Sequence, residues 1–244
     1  MHYTSIFISD IHLGLRSSRN AQKLIEFLNL NTFDRLFLVG DVIDFISISV
    51  HPFWYKINTE LLKTLLDIAE NKSVVYITGN HDDLEFLHGK IYANISFVKE
   101  CEHRTKNGLF WICHGHEFDK FADKDSKFAV AVSVIQNVLI TLDSLMSLFR
   151  KFFNIKREWS IGKTIEWIEK KVSKGYDVEG FERRLFREAK ARGYQGVICG
   201  HLHDPMWHRK DGIDHYNCGD LLSNMSILVE IPEGEDEGFE ILYL

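Results

Sequence analysis

Three short apolar runs, YTSIFIS at residues 3–9, RLFLVG at 35–40 and SVVYITG at 73–79, alternate with two segments of helical periodicity, AQKLIEFLNL and TELLKTLLDIAE. A strand that rejoins its sheet through a helix lies parallel to the strand it left, so this order predicts a parallel sheet with crossover helices. The pattern then changes. From ISFVKE (95–100) through LFWICHG (109–115) the runs read as strands joined by short turns, and residues 120–192 read as almost wholly helical. After QGVICGH the chain returns to strands, PMWHRK, IDHYNC, SILVEI and GFEILYL, expected to complete a second sheet as an antiparallel series. The expectation is an α/β chain forming one domain over residues 1–244, with a helical insertion at 120–192.

The strand ends are chemically unusual. The first run stops on SDIHLG, the second on GDVID, the third on GNHDD, LFWIC on HGHEF and QGVIC on GHLHD. A single D-x-H at a strand end is better read as polar residues meeting solvent, although in a strand Asp10 and His12 would share one face. Five apolar strands ending on Asp, Asn or His are not explained that way, and the carboxyl edge of an open α/β sheet is where ligands bind. The residue types collected there, without Cys, suit Mn²⁺, Fe²⁺ or Zn²⁺ better than a thiolate site or a calcium cage. Seven candidate ligands are too many for one ion with an open position and suit two ions sharing a carboxylate.

Composition narrows the function classes. A 244-residue chain with 45% apolar and 26% charged residues is ordinary for a soluble globular protein. The net charge of −6 lacks the broad basic footprint of a nucleic-acid binder. No basic region followed by an apolar one opens the chain, so no signal peptide is expected. Cys101, Cys113, Cys199 and Cys218 are far apart with no C-x-x-C, which reads as reduced thiols in the cytosol. The stretch 128–149 is apolar enough to suggest a membrane span, but Asp143 and several polar side chains weigh against spanning. Beside it, RKFFNIKR alternates basic residues with Phe and Ile; on composition it reads first as a solvated helix end, with seating on anionic headgroups as the alternative.

In order, D-x-H, G-D-x-x-D, G-N-H-D, H-G-H and G-H-x-H resemble the motif set of the calcineurin-like metallophosphoesterase superfamily, spanning positions 10 to 203. That resemblance implies two packed mixed sheets flanked by helices. It implies two divalent ions, Mn²⁺ expected with Fe²⁺ or Zn²⁺ as alternatives. One ion would be held by Asp10, His12, Asp41 and His203, the other by Asp41, Asn80, His114 and His201. A hydroxide between the ions would attack a phosphoryl group, with His81 as catalytic acid, Asp44 orienting it, and Asn80 contacting substrate. His116, two residues past His114, lies outside that pattern and reads either as a support for the ligands or as a substrate contact.

Within the superfamily the chain looks most like bacterial UDP-2,3-diacylglucosamine diphosphatases, through SDIHLG, LVGDVIDF, YITGNHDD, HGHEFD, GVICGHLH and YNCGDLLSNMSILVE. Those enzymes cut the pyrophosphate of a nucleotide-linked lipid in the lipid A pathway, releasing a lipid monophosphate and UMP, with a helical lid over the acyl chains. That branch carries Arg where His81 stands, and close homologues usually carry Asp where His116 stands. The expected substrate is a nucleotide-linked lipid diphosphate or a small phosphoester, not nucleic acid. The expected place is the cytoplasm, with peripheral contact at the inner membrane face. A general phosphodiesterase or phosphomonoesterase would share every ligand, and a non-catalytic metal-binding scaffold of the same fold is a third reading. Oligomeric state is left open.

Overall fold

Along strand β1 (His2–Ile8), Ile6 and Ile8 pack into one apolar core and Phe7 into another. The same split recurs in β2 (Thr32–Val39), where Leu36 and Leu38 oppose Phe37 and Val39. Period-two alternation of apolar residues on both faces is what a strand covered on both sides requires. The computed structural model describes residues 1–14, 18–50, 54–119, 178–232 and 238–244.

The first core lies between β1, β2 and β3 (Ser73–Ile77) and the helices α1 (Ser18–Leu30) and α3 (Lys56–Ala69). Leu24 and Leu28 of α1 and Leu61 and Leu65 of α3 meet Ile6, Leu36 and Val74 there. A short helix α2 (Phe45–Val50) follows β2. Strand β3 is followed by β4 (Lys90–Tyr92), β5 (Ile95–Val98), β6 (Glu100–Thr105) and β7 (Gly108–Cys113). Helix α4 (Val178–Ala191) precedes β8 (Gly196–Cys199), β9 (Met206–Lys210), β10 (Ile213–Asn217), β11 (Ser226–Ile231) and β12 (Gly238–Tyr243).

Two mixed sheets result, in strand orders β12-β11-β1-β2-β3-β5-β4 and β6-β7-β8-β10-β9. The second core is sandwiched between them, with Phe7, Phe37 and Ile77 against Phe110, Ile112 and Ile198. Phe7 stacks on Phe37 with centroids 4.8 Å apart and planes 7° apart. This is the two-sheet α/β sandwich expected from the sequence.

One detail differs. The late strands do not all complete the second sheet. Strands β9 and β10 do, with β10 parallel to β8, but β11 pairs antiparallel with β1 and carries β12. Ile227 and Val229 enter the helix-side core while Leu228 enters the core between the sheets. The exposed edge of a fully buried strand such as β1 would leave backbone amides without partners, and β11 covers it. The three-residue β4, exposed throughout, and the six-residue α2 have no periodic signal long enough to be read from sequence.

The chain divides into two compact units, Met1–His116 with Leu185–Leu244, and Glu117–Arg184. Within the second, Arg184 Nε donates to the Phe118 carbonyl at 2.8 Å, and Phe118 meets Phe181 edge-on. The insertion expected at 120–192 falls largely outside the described residues, as do the 128–149 stretch and RKFFNIKR. Among the described residues no helix is long and apolar enough to cross a membrane, and none of the four cysteines is in a disulfide.

Candidate metal centre

The loops after β1, β2, β3, β7 and β8 converge because their backbones are laced together. Asp10 N donates to Gly40 O at 3.0 Å, His12 N to Asp41 O at 2.9 Å, and Gly200 N to His114 O at 3.1 Å. Strand β1 ends at Ile8, so Asp10 and His12 do not owe their common direction to strand alternation, as the sequence suggested. Both are left-handed, with φ of 52° and 50°, and so are Asp41, His201 and His203. Left-handed backbone costs roughly 1–2 kcal/mol for a residue with a side chain, and such conformations persist where surrounding bonds over-determine them.

Those bonds come from buried carboxylates. Asp82 accepts from the amides of Asp41, Val42, Ile43 and Gly79 and from the Tyr76 hydroxyl, at 2.6 to 2.9 Å. Asp82 thereby holds the loop that carries Asp41. Asp41 Oδ1 accepts from His81 N at 2.8 Å, and Asp10 Oδ2 from His201 N at 3.0 Å. Gly79 and Gly200 make this approach possible. A Cβ on Gly79 would collide with Asp41 Oδ1, and one on Gly200 would lie 2.5 Å from Asp10 Oδ2.

With one carboxylate oxygen of Asp10 and of Asp41 tied to backbone, the other faces imidazoles. His203 Nε2 lies 3.0 Å and His12 Nε2 3.8 Å from Asp10 Oδ1. Around Asp41 Oδ2 stand His114 Nε2 at 3.3 Å, His12 Nε2 at 3.9 Å and His81 Nε2 at 4.0 Å. The ligand atoms form three overlapping groups, Asp10–His12–His203, His12–Asp41–His81 and Asp10–Asp41–His114, each spanning no more than 4.8 Å. Second contacts orient the rings. His114 Nδ1 bonds the Val39 carbonyl at 2.9 Å and His12 Nδ1 bonds Asp44 Oδ2 at 3.1 Å, leaving each Nε2 towards the centre.

The donor set fits divalent cations. Asp10 Oδ1, His12 Nε2, Asn80 Oδ1 and His114 Nε2 are buried and make no hydrogen bond of good geometry to another protein group. Three of these atoms, those of Asp10, His12 and His114, lie in the overlapping groups above, and buried ligand atoms left so describe a cation site better than a packing fault. The charges agree. Burial disfavours the carboxylate of Asp41, yet His114, His81 and His12 outweigh burial and hold it well below the ordinary range. Burial likewise opposes a charged His114, but Asp41 and then Asp10 raise its pKa to about 10. Asp10 and Asp44 are held low against burial by His203 and His12, and by His12 and His81.

Residues 3–205 match the family model described as calcineurin-like phosphoesterase. The chain belongs to that family. It is a metal-dependent phosphoesterase in fold and donor set. No curated protein matches it in sequence. Among solved structures it is similar to an archaeal phosphodiesterase, at 14% identity over 98% of this chain and 99% of that one, TM-score 0.46. It is also similar to Yfce, a phosphoesterase from E. coli, at 13% identity over 98% and 97% of the two chains, TM-score 0.43. Vps29 from Entamoeba histolytica in complex with zinc is a third, at 14% identity over 98% and 96%, TM-score 0.45.

Of the residues singled out from sequence, the phosphoesterase brings the ligand atoms of Asp10, His12, Asp41, His81, His114 and His203 together. His201 stands beside them, its ring 5.3 Å from that of His114, and Asn80 directs a buried Oδ1 without a hydrogen bond. The His116 ring lies 5.5 Å from that of His114. Asp44 was expected to serve His81. It lies 3.3 Å from His81 Nδ1, but its hydrogen bonds of good geometry are to His12 Nδ1 and from Ser47 N. Sequence reasoning gave no role to Asn217 and Asp220, which brace the site from the β10–β11 turn, or to Ser9, which bonds that turn from the loop after β1. The signal for Asn217 and Asp220 was NCGD, a second Gly-Asp directly after a strand.

Proposed function

We propose that this centre hydrolyses a phosphodiester or pyrophosphate bond. Asp10, His12, Asp41 and His203 would hold one divalent ion, and Asp41, Asn80, His114 and His201 another. The observation carrying this reading is the convergence of Asp10 Oδ1, His12 Nε2 and His114 Nε2, three buried ligand atoms that lack good hydrogen bonds, around Asp41. Two bound ions supply a Lewis acid for the phosphoryl oxygen and an ionised water near neutral pH. The protein's own part falls to His81, whose side chain is 30% exposed at the rim. Its ring places Nδ1 beside Asp44, so Nε2 is the nitrogen that delivers a proton to the leaving oxygen. His116 and Asn80 would contact the bound phosphate.

The substrate we favour is a nucleotide-linked lipid diphosphate of the UDP-2,3-diacylglucosamine type, cut to a lipid monophosphate and UMP in the cytoplasm. Support comes from the motif resemblance and from the apolar 128–149 stretch followed by a basic run, which suits an acyl-chain lid with peripheral membrane contact. The whole chain would then be one catalytic domain with residues 120–192 inserted. A second reading, a phosphodiesterase for soluble esters, is favoured by one residue, because His81 replaces the Arg of the lipid-specific branch.

A hydrolysis panel with Mn²⁺ tests both, covering UDP-diacylglucosamine, CDP-alcohols, cyclic nucleotides and p-nitrophenyl esters. Preference for the diacyl substrate is expected. Turnover confined to soluble esters would replace the lipid reading, and no turnover with two ions bound would leave a metal-binding scaffold.

A further inference from the structure

The turn between β10 and β11, residues 217–224, lies beyond the segment that matches the family, yet it touches the proposed metal loops at several points. Asn217 Nδ2 donates to the Gly200 carbonyl at 2.6 Å and its Oδ1 accepts from Gly219 N at 2.9 Å. Ser9 Oγ donates to the Gly219 carbonyl at 2.8 Å, and Leu221 N to the Asp10 carbonyl at 3.2 Å. The turn is thus bonded to the loop bearing Asp10 and to the loop bearing His201 and His203.

Asp220 sits at its centre and is buried. Oδ1 accepts from the amides of Leu222, Ser223 and Asn224, a turn cap that fixes the carboxylate. Oδ2 accepts from Asn224 Nδ2 at 3.0 Å and lies 3.8 Å from His203 Nδ1. The same Asn224 amide donates to the His203 carbonyl. His203 therefore has a carboxylate at each ring nitrogen, Asp220 towards Nδ1 and Asp10 at 3.0 Å from Nε2. A metal-binding imidazole commonly gives its second nitrogen to such a carboxylate, which fixes ring and tautomer.

We infer that Asp220 is a positioning residue. It orients His203 so that Nε2 faces the ion shared with Asp10 and His12, and the 217–224 turn is the brace that makes this half of the centre rigid. The inference rests on the two-ion reading above and adds to it a residue outside the five motifs. Because His203, the ligand that Asp220 faces, belongs to one proposed ion, loss of Asp220 should weaken that ion more than the other.

The test is Asp220→Asn in the full chain, which keeps an acceptor for the turn amides and removes the charge beside His203. Titration of metal-free protein with Mn²⁺ by calorimetry, with elemental analysis after desalting, should show one ion bound as in the unaltered protein. The other should bind about 10- to 100-fold more weakly. Co²⁺-loaded samples should show changed visible bands for one of two ions. Asn224→Ala, at an exposed residue, should cause a smaller loss at the same ion and keeps the test open should D220N not fold. Unchanged affinity for both ions in the folded variants, or equal weakening of both, would overturn the inference. Should the unaltered chain bind no pair of ions, the two-ion reading itself falls and takes this one with it.

Discussion

His12 and Asp44 are both buried and hydrogen-bonded to each other, Nδ1 to Oδ2 at 3.1 Å, and the same carboxylate lies 3.3 Å from His81 Nδ1 through its other oxygen. One side chain therefore supports a proposed metal ligand and the proposed acid. Asp44→Ala should weaken ion binding about 10- to 100-fold and lower kcat as well. Metal titration and steady-state kinetics on one preparation check this. Full ion affinity in the variant would confine Asp44 to His81.

Asp41 Oδ2 lies 3.3 Å from His114 Nε2 and 3.9 Å from His12 Nε2. Asp41→Asn should abolish turnover and reduce bound metal to one ion or none, because both proposed sites use its carboxylate. Elemental analysis showing two ions and normal turnover would refute the shared-ligand arrangement.

His81, the proposed acid, has a side chain 30% exposed. His81→Ala should retain both ions and reduce kcat by roughly 10²- to 10⁴-fold on a substrate with a poor leaving group. A p-nitrophenyl ester should suffer less, since a good leaving group needs no proton. An unchanged rate on the poor leaving group would remove His81 from the chemistry.

The two sheets are joined by His103 Nε2 and Glu230 Oε2, 2.9 Å apart. Burial raises the pKa of Glu230, but the bond and charge of His103 outweigh it, so the folded value lies below the ordinary 4.5. A depressed carboxyl pKa contributes stability that is present above the unfolded value and is lost as pH falls through the folded one. Glu230→Gln should therefore be less stable at neutral pH, with the gap closing only in acid below about 4.5. Urea unfolding across that range checks it. A gap independent of pH would mean that packing, not charge, carries the link.

Tyr76 donates one of the five hydrogen bonds that Asp82 accepts beneath the Asp41 loop. Tyr76→Phe should cost about 1–3 kcal/mol, because the buried carboxylate loses a donor, while both ions remain bound. Denaturant unfolding and metal analysis together test it. Loss of an ion would show that the hydroxyl itself positions Asp41.

Much of the molecule was legible in short stretches of sequence. The order of strands and helices, and five strands delivering Asp, Asn or His at their carboxyl ends, depend on side-chain periods of two and about four residues, which neighbours in sequence carry. The family motifs lie on those ends, and the metal-ligand types could be named before the fold. Other features pair residues far apart in the chain. Whether β11 joins β1 or the second sheet was decided by which buried edge needed partners, a matter of contacts between Ile6 and Val229. The convergence of Asp10 and His12 came from left-handed turns braced by distant groups, not from strand alternation. That Asp82 holds the Asp41 loop, that Asp44 bonds His12, and that Asp220 faces His203 are distances between side chains, and no local pattern encodes them. Local physics settled which residues reach the sheet edge; tertiary packing settled which carboxylate stands beside which imidazole, because buried charge is tolerated only where a partner is brought to it.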